Sequence, residues 1–379
     1  MAIRAYKFRI YPNKAQQSQL ISHLMAAKAL YNDCLALTKH VYAEYGLFPS
    51  KRTLQEMSKT SGLYSQTAQV ITHRLLNSIG MKIRNKKRDR FYGFPRFKSF
   101  ERMKSLPYPQ FGFKLSGKRL EVTPFGAINI KFHREINGRI KTMVLKREPS
   151  GKWFVIFTAE ESITPKENNG NAVGMDMGLE NLATLSDSII IKNPRHMRKH
   201  EATLTHLGKN LSMKKKGSKN RLKAKLKLAR AYEKLKNVRR DFLHKLSIKL
   251  VNDYSIIALE KLNTKSMIEQ RFGKSITDAS WNIFANMLCY KAEGAGCKVV
   301  FVDPKETSSM CSRCGVIVQK SLSERTHICS ACGFSADRDI NAAINILNRS
   351  TGGTPGSNAS GDGSIVLSVK EEVNGFSRW

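Results

Sequence analysis

The sequence contains no run of about 18 consecutive apolar residues, the length that a membrane-spanning helix requires. Its first residues alternate apolar side chains (Tyr6, Phe8, Ile10) with basic ones and form no continuous apolar segment of the kind that a secretory signal peptide carries. We therefore expect a protein that stays in the cytosol and spans no membrane.

Acidic side chains are scarce, with 30 Asp and Glu against 65 Lys and Arg, which gives the 379 residues a formal net charge of +35. The positive excess is spread along the chain and is not confined to one tail. A folded protein this basic requires a polyanionic partner; nucleic acid is the first choice and an anionic membrane surface the second. The length is sufficient for two or three domains.

Cysteine is also infrequent, but four of the seven cysteines form a pattern. Cys311-Ser-Arg-Cys314 and Cys329-Ser-Ala-Cys332 are each followed by a glycine. Four thiolates at this spacing can surround one Zn²⁺ tetrahedrally and leave no open position, so the pattern predicts a structural zinc; two disulfides or four unrelated thiols are the alternatives. We expect the scattered cysteines to be buried reduced thiols: Cys34, Cys289 and Cys297.

Three of the scarce carboxylates stand out by their position. Asp176 lies in the middle of a predicted apolar strand, and Glu260 ends the predicted strand 254–259. Asp339 lies in the first turn of a predicted helix at 337–348, where a helix cap is an alternative role. A buried carboxylate is costly unless it faces a cation. Three carboxylates that meet can bind two Mg²⁺ ions about 3.5–4 Å apart and support phosphodiester hydrolysis.

The hydrophobic periodicity predicts two kinds of domain. Alternating segments predict strands that form a small β-barrel with the first residues of the chain, and apolar spacing of three or four predicts helices over 13–91 with breaks at 46–49 and 61–62. After residue 171 the predicted order is strand, strand, long helix, strand, helix, strand, cysteine segment and helix. The predicted fold class is therefore α/β plus a β-barrel and a helical insert, and the last series is compatible with an RNase H-like sheet.

Basic residues cluster in two places that we interpret as phosphate contacts. One is the run 82–90; the other is one face of a helical region at 193–250, opposite an apolar stripe. Aromatic residues interleave with basic ones at 91–100, which suits base stacking as well as a barrel core. The candidate contacts are Lys82, Arg84, Lys86, Lys87, Arg88, Arg96, Lys98, Arg230, Arg239 and Arg240.

Several motifs together resemble the TnpB (OrfB) proteins of bacterial and archaeal insertion sequences. The motifs are Gly174-Met-Asp-Met-Gly-Leu179, Ala258-Leu-Glu-Lys-Leu-Asn263, the four cysteines, Asp337-Arg-Asp-Ile-Asn-Ala-Ala343, Tyr6-Lys-Phe-Arg-Ile-Tyr-Pro12 and Gly93-Phe-Pro-Arg-Phe-Lys98. The resemblance extends to about residue 349. It is most specific in the C-terminal motifs.

The resemblance implies an RNA-guided DNA endonuclease related to type V CRISPR effectors, acting as a monomer in a prokaryotic cytosol. The implied partners are a guide RNA derived from the transposon end and double-stranded target DNA beside a short flanking motif. The implied catalytic residues are Asp176, Glu260 and Asp339 with Mg²⁺ in a RuvC-like site. The candidate residues for reading the flanking motif are Gln66, Thr67, Gln69 and Lys82. A DNA-strand transferase and a non-cleaving RNA-guided binder are the alternatives.

The implied domains interrupt one another along the chain. They are a wedge-like β-barrel at 1–12 and 92–165, a helical recognition insert at 13–91, a RuvC-like nuclease domain at 170–305 and 333–349, a zinc ribbon at 306–332 and a disordered tail at 350–379.

Overall fold

A computed structural model describes residues 1–86, 93–263, 267, 273–321 and 324–352. The chain forms two compact units. The first contains Met1–Ile163 and Lys214–Arg230, and the second contains Thr164–Met213 and the residues from Ala231 onward. Within the described ranges, no helix has both the length and the apolar character needed to cross a membrane.

Three helices follow the first strand of unit 1. Strand β1 (Ala2–Tyr11) stops before Pro12, and α1 (Lys14–Tyr45) begins with a capping box in which the side chains of Asn13 and Gln16 bind each other's backbone N–H. Helices α2 (Lys51–Lys59) and α3 (Ser65–Lys86) follow. Both predicted breaks are confirmed, because the chain turns at glycines with a φ of 66°, Gly46 and Gly62.

The rest of unit 1 is a seven-stranded antiparallel sheet in the order β2-β6-β7-β1-β5-β4-β3. Its further strands are β2 (Ser105–Tyr108), β3 (Phe113–Ser116), β4 (Arg119–Val122), β5 (Gly126–Lys131), β6 (Arg139–Arg147) and β7 (Trp153–Glu161). The edge strand β2 approaches the β3–β4 hairpin, since the Tyr108 hydroxyl donates to the carbonyl of Thr123, the residue after β4, 2.8 Å away. The sheet is thus the nearly closed barrel that the sequence predicted, with β2 and β3 added to it.

The barrel and the helices of unit 1 share one core. Alternate residues of the strands point inward, including Phe8 and Phe157, and they are fully buried together with Leu20, Leu24 and Leu75 of the helices. The helical insert is therefore packed on the barrel and contributes to its stability by burying apolar surface.

Unit 2 is built on a five-stranded mixed sheet in the order β10-β9-β8-β11-β12. The strands are β8 (Asn171–Asp176), β9 (Asn181–Leu185), β10 (Ile190–Lys192), β11 (Tyr254–Glu260) and β12 (Lys298–Val302). Strands β8, β11 and β12 are parallel, and β9 is antiparallel to both of its neighbours. The helices between them are α4 (His196–Ser212), α5 (Lys219–Asp253), whose first residues belong to unit 1, α6 (Gly273–Ala279) and α7 (Trp281–Ala295).

Two predictions about element boundaries need correction. Asp176 is the last residue of β8 and not its middle, because the chain turns directly after it; the Gly178 N–H donates to the Leu182 carbonyl at the start of β9. The last helix, α8 (Arg338–Thr351), continues into the predicted tail and ends at Gly352, whose φ is 74°. The remainder of that predicted tail, 353–379, lies outside the described residues.

Helix α8 packs directly on the backbone of β8 at Gly174. A Cβ atom placed on Gly174 would lie 2.0 Å from the carbonyl oxygen of Ala343 and 2.7 Å from the backbone nitrogen of Leu347. Ile346 of the same helix is buried against Ala258, which pairs with Gly174 on the neighbouring strand. Only glycine at 174 permits this separation between helix and sheet.

We expect Gly174→Ala to destabilise unit 2. The added methyl group meets backbone atoms that cannot rotate away, so the cost should be about 2–3 kcal/mol and the melting temperature of this unit should fall by about 5–10 °C in scanning calorimetry. Gly208→Ala in α4 is the matched control, since no atom of the described residues, apart from its chain neighbours and the backbone of its own helix, lies within 4 Å of the added methyl group. Equal melting temperatures for the two variants would contradict the close packing.

Candidate metal centres

Two of the three predicted acids lie side by side at the carboxyl ends of neighbouring parallel strands. The pairing of β8 with β11 aligns Met175 with Leu259, so Asp176 and Glu260 are the next residues on adjacent strands. Because side chains alternate between the two faces of a sheet, both acids are on the face of Gly174, where α8 packs. The strand register alone therefore brings these two carboxylates together.

Asp339 joins them from the first turn of α8, one helical turn before Ala343. The charges of Glu260 and Asp339, after the larger effect of burial, raise the pKa of Asp176 to about 8 from its ordinary 3.8, while Arg338 opposes the rise. Burial also raises the pKa of Glu260. The structure thus brings all three acids into one electrostatic environment in which ionisation is unfavourable until a cation is present.

The cap of α8 is provided by the neighbouring acid, Asp337. Its carboxylate accepts hydrogen bonds from the backbone N–H groups of Asp339, at 2.8 Å, and Ile340, at 3.2 Å. The capping role that the sequence left open for Asp339 therefore belongs to Asp337. Asp339 instead interacts with two arginines, Arg338 at 3.4 Å and Arg325 at 3.9 Å.

The composition of the acidic group fits a hard divalent cation, because its donors are carboxylate oxygens without thiols or imidazoles. The three carboxylates are less tightly grouped than the cysteines: in the described part of the chain, only the four cysteines form a set of three or more candidate ligands with all donor atoms within 4.8 Å of one another. The three carboxylates repel one another, and the two arginines attract the Asp339 carboxylate. A bound cation would attract all three carboxylates and bring them closer to one another.

The four cysteines form the second candidate centre. Their sulfur atoms are 3.7 Å apart for Cys311 and Cys332 and 3.5 Å apart for Cys314 and Cys329. Tetrahedral Zn²⁺ with Zn–S bonds of about 2.3 Å requires sulfur separations of about 3.8 Å, whereas a disulfide requires about 2.05 Å. All four cysteines are free thiols, so the disulfide alternative is wrong and the spacing fits zinc.

Each cysteine pair is held in the same turn. The N–H of Gly315 donates to the Cys311 carbonyl and that of Gly333 to the Cys329 carbonyl, both at 2.9 Å. The φ values of these glycines are 79° and 70°, positive values that glycine adopts without a steric cost. A short hairpin, β13 (Thr326–Ile328) and β14 (Ser335–Asp337), then leads directly into α8.

Two asparagines that sequence reasoning missed attach the cysteine segment to α8. Asn341 accepts from the Ser312 N–H at 2.9 Å and donates to the Met310 carbonyl at 2.8 Å, and Asn345 donates to the carbonyls of Thr307 and Met310. Both side chains are fully buried. The available signal was their spacing of four residues on a helix face that otherwise contains Ala342, Ala343 and Ile346.

Two of the predicted nucleic-acid contacts, Arg239 and Thr67, have partners within the protein. Arg239 forms an ion pair with Asp278 at 2.8 Å, and its side chain is only 12% exposed. Thr67 is 2% exposed, and its hydroxyl donates to the Pro107 carbonyl at 2.7 Å. Both side chains fulfil internal hydrogen-bonding roles that periodicity alone does not distinguish from surface positions.

The segment 93–98 is hydrogen-bonded to α1 and does not form a barrel strand. The Asn32 side chain binds both the N–H and the carbonyl of Lys98, whose ammonium group lies 3.8 Å from the centre of the Tyr31 ring. Burial, with a smaller effect of Arg74, lowers the pKa of Lys98 to about 8. Phe97 remains 49% exposed. Lys98 is therefore packed against α1, whereas base stacking on the exposed Phe97 ring stays a prediction.

The other predicted contacts are at the surface or lie outside the described residues. The exposed ones are Gln69, Arg84, Arg96, Arg230 and Arg240. Lys82 lies 4.4 Å from the centre of the Phe94 ring, and Gln66 is half-buried and accepts from the Phe111 N–H. Lys87, Arg88 and the side chain of Lys86 fall outside the description.

Three family profiles match the chain. They are described as "Probable transposase" for residues 155–271, "Cas12f1-like, TNB domain" for residues 281–346 and "Helix-turn-helix domain" for residues 1–46. The last range contains β1 and the single long helix α1. The profile that matches residues 281–346 covers the cysteine segment together with most of α8.

The chain is similar to full-length curated proteins. It is 33% identical over 359 residues to a Streptomyces pristinaespiralis protein whose name proposes an RNA-guided DNA endonuclease, covering 91% of this chain and 88% of the relative. It is 29% identical over 372 residues to InsQ of Escherichia coli K12, whose name proposes the same activity, covering 91% and 92%. It is 25% identical over 390 residues to the TnpB-like protein L770 of Acanthamoeba polyphaga mimivirus, covering 91% and 73%.

Solved structures share the fold at low sequence identity. A Cas12f1–sgRNA–target DNA complex matches with a TM-score of 0.56 and 14% identity, covering 89% of this chain and 83% of the other. The mini-RNA-guided endonuclease CRISPR-Cas phi3 matches with a TM-score of 0.50 and 11% identity, covering 94% and 93%.

We expect Cys329→Ser to reduce the zinc content of the purified protein and its thermal stability. Zinc binding contributes folding free energy, and its loss releases the hairpin that leads into α8. Elemental analysis and calorimetry measure the two effects. Cys289→Ser, a change to a half-buried free thiol in α7, is the control. Full zinc content in the Cys329 variant would exclude that sulfur as a ligand.

We expect Asp176→Asn to stabilise the protein at high pH in buffer without Mg²⁺. The folded-state pKa of about 8 exceeds the unfolded value of 3.8, so the folded state retains a proton in this interval and its stability falls as pH rises from about 4 to about 8. Asparagine does not ionise, so the variant does not lose stability over this pH range. Its melting temperature should exceed that of the wild type at pH 8.5, with a smaller difference at pH 6.

The matched control for this pH dependence is Asp241→Asn, since Asp241 is exposed and pairs with Lys245 on α5. It should change the melting temperature equally at both pH values. A difference between Asp176→Asn and the wild type that does not grow with pH would contradict the raised pKa.

Proposed function

The chain belongs to the TnpB (OrfB) family, and we propose that it is an RNA-guided DNA endonuclease. The observation that carries the proposal is the grouping of Asp176, Glu260 and Asp339 on one edge of the unit 2 sheet, where burial and then the charges of Glu260 and Asp339 raise the pKa of Asp176. Relatives of full length carry names with this activity, and a structure with the same fold was solved with sgRNA and target DNA. The net charge of +35 suits both polyanions.

We propose that unit 2 contains a RuvC-like nuclease domain of the RNase H-like class. The proposal is supported by the strand order β10-β9-β8-β11-β12, by the antiparallel β9 and by α8 packed across β8. The proposed boundaries are 170–305 and 333–349 for this domain and 306–332 for an inserted zinc ribbon. A wedge-like barrel at 1–12 and 92–165 and a helical recognition insert at 13–91 complete the proposal.

The three acids would hold the catalytic metal, which we propose to be Mg²⁺. When bound, two such ions supply activation of the attacking water and neutralisation of charge on the leaving oxygen. The protein contributes the ligands: the strand ends fix Asp176 and Glu260, and the first turn of α8 fixes Asp339. Because its pKa is raised, Asp176 retains a proton near neutral pH and must lose it to bind a metal. Metal binding and release of this proton are therefore coupled.

Sequence choice would be delegated to base pairing with the bound RNA, while the protein grips the heteroduplex through phosphate charge. We propose a guide RNA derived from the transposon end, double-stranded target DNA beside a short flanking motif, and a monomer acting in a prokaryotic cytosol. The exposed residues Arg84, Arg96, Arg230 and Arg240 are the proposed phosphate contacts.

A DNA-strand transferase is the second candidate, favoured by the "Probable transposase" description that covers residues 155–271. A 3′-hydroxyl replaces water as the nucleophile in that reaction. The products distinguish the two activities: a nuclease leaves free ends, and a transferase leaves joined strands. Protection of the target without any cut would indicate a non-cleaving binder.

We expect Asp176→Ala, Glu260→Ala and Asp339→Ala each to abolish DNA cleavage by the guide RNA complex while RNA binding persists, because each variant removes a metal ligand without changing the basic surface. Cleavage assays with Mg²⁺ and RNA co-purification measure the two properties. If one of these variants cleaves at the wild-type rate, the residue that it replaces is not a metal ligand.

A neighbouring acid offers the matched control for this experiment. Asp337→Asn removes a negative charge from the same helical turn but keeps the cap, since Asn caps helices as well as Asp does. It should retain cleavage, whereas Asp339→Asn should lose it. The reverse result would assign the metal to Asp337.

A further inference from the structure

The carboxylate of Glu260 has a hydrogen-bond donor that the proposed mechanism does not use, the hydroxyl of Thr307. The two oxygens are 2.5 Å apart, and Thr307 is only 2% exposed. The same hydroxyl is 3.1 Å from the Pro304 carbonyl. A hydroxyl has only one proton to donate, and a hydrogen bond to an ionised carboxylate is stronger than one to a carbonyl. When Glu260 is ionised, the Thr307 hydroxyl therefore donates to Glu260 and not to the Pro304 carbonyl.

The backbone around Thr307 is arranged to aim this hydroxyl inward. Glu306, directly before it, has a φ of 61°, a left-handed conformation that non-glycine residues adopt at a cost. The Met310 N–H closes the turn on the Glu306 carbonyl at 3.0 Å. From α8, the amide of Asn345 binds the carbonyls of Thr307 at 2.9 Å and Met310 at 2.7 Å.

This loop therefore connects three parts of the candidate site. It follows β12, which pairs with β11 up to Glu260, and it leads directly into Cys311. It is also tied to the helix that carries Asp339. The position of the Thr307 hydroxyl depends on the helix and on the folded cysteine segment together.

We propose that Thr307 is a positioning residue that fixes the Glu260 carboxylate for metal binding and so couples the acid cluster to the cysteine segment. This inference rests on the proposed function. A glutamate side chain has three rotatable bonds and loses rotamer entropy when it binds a metal. The Thr307 hydroxyl donates to Oε1 and holds the carboxylate in one rotamer, which would leave its other oxygen available to a cation. Hydrogen-bond partners of metal ligands change metal affinity by about 10–100-fold.

The test compares Thr307→Ala with Thr307→Ser in the full-length protein. Both variants lose the methyl group, and only Ala loses the hydroxyl. We expect Ala to weaken Mn²⁺ binding in the absence of nucleic acid, measured by electron paramagnetic resonance, by about 10-fold. The Mg²⁺ concentration for half-maximal cleavage by the guide RNA complex should rise by about the same factor. Ser should remain near the wild type in both measurements, and zinc content and RNA binding should not change.

Thr38→Ala is the matched control, because Thr38 is fully buried and its hydroxyl donates to a backbone carbonyl, that of Cys34, and not to a carboxylate. It should leave Mn²⁺ binding unchanged. Thr307→Val, which keeps the side-chain shape, replaces the alanine variant if that variant fails to fold. Equal metal affinities for the variants with and without the hydroxyl would overturn the proposal, and so would loss of folding in both Ala and Val.

The two proposals fail in different ways. If the wild-type complex does not cleave DNA, the nuclease proposal fails, while the Mn²⁺ comparison still decides the role of Thr307. If the wild type cleaves and the Ala and Ser variants behave alike, the nuclease proposal stands and the positioning role of Thr307 is excluded.

Discussion

The backbone contact between helix α8 and Gly174 is the constraint on which the candidate site depends. A helix usually packs on a sheet through layers of side chains, but here the Ala343 carbonyl occupies the space that a Cβ at 174 would take. The contact sets the height of the helix above β8 and thereby the position of its first turn. Asp339, one turn before Ala343, reaches the charged edge formed by Asp176 and Glu260 because of this separation. A larger residue at 174 would move the helix and its carboxylate together.

The acid cluster is held together against its own repulsion. Burial, followed by the charges of Glu260 and Asp339, raises the pKa of Asp176 far above its ordinary value, which means that ionising Asp176 costs stability. The surrounding fold opposes this cost: Arg338 and Arg325 lie beside Asp339, and the Thr307 hydroxyl donates to Glu260. Stored electrostatic cost of this kind is typical of sites that bind a cation. The proposed Mg²⁺ would convert the repulsion into affinity.

The four-cysteine segment has a clear structural connection to this cluster. Its first turn is bound to α8 by Asn341 and Asn345, and its hairpin ends at Asp337, the cap of the same helix. A metal in the cysteine site would therefore stabilise the loop that carries Thr307 as well as the start of α8. The proposed zinc and the proposed Mg²⁺ thus play different parts: the first supports the geometry of the protein, and the second would take part in the chemistry.

The sequence by itself determined the elements and the chemistry of the candidate groups. The alternation at 153–158, the glycine breaks after α1 and α2 and the cysteine spacing each depend on local geometry, so periodicity and turn chemistry were sufficient to predict them. Boundaries such as the end of β8 at Asp176 depend on strand pairing and were misplaced. Only the tertiary structure decided which side chains are neighbours: Arg239 turns to Asp278, Asp337 caps α8, and Thr307 meets Glu260 across 47 positions of the chain. Such contacts depend on register and helix placement, which residues far apart in sequence set jointly and no local pattern contains.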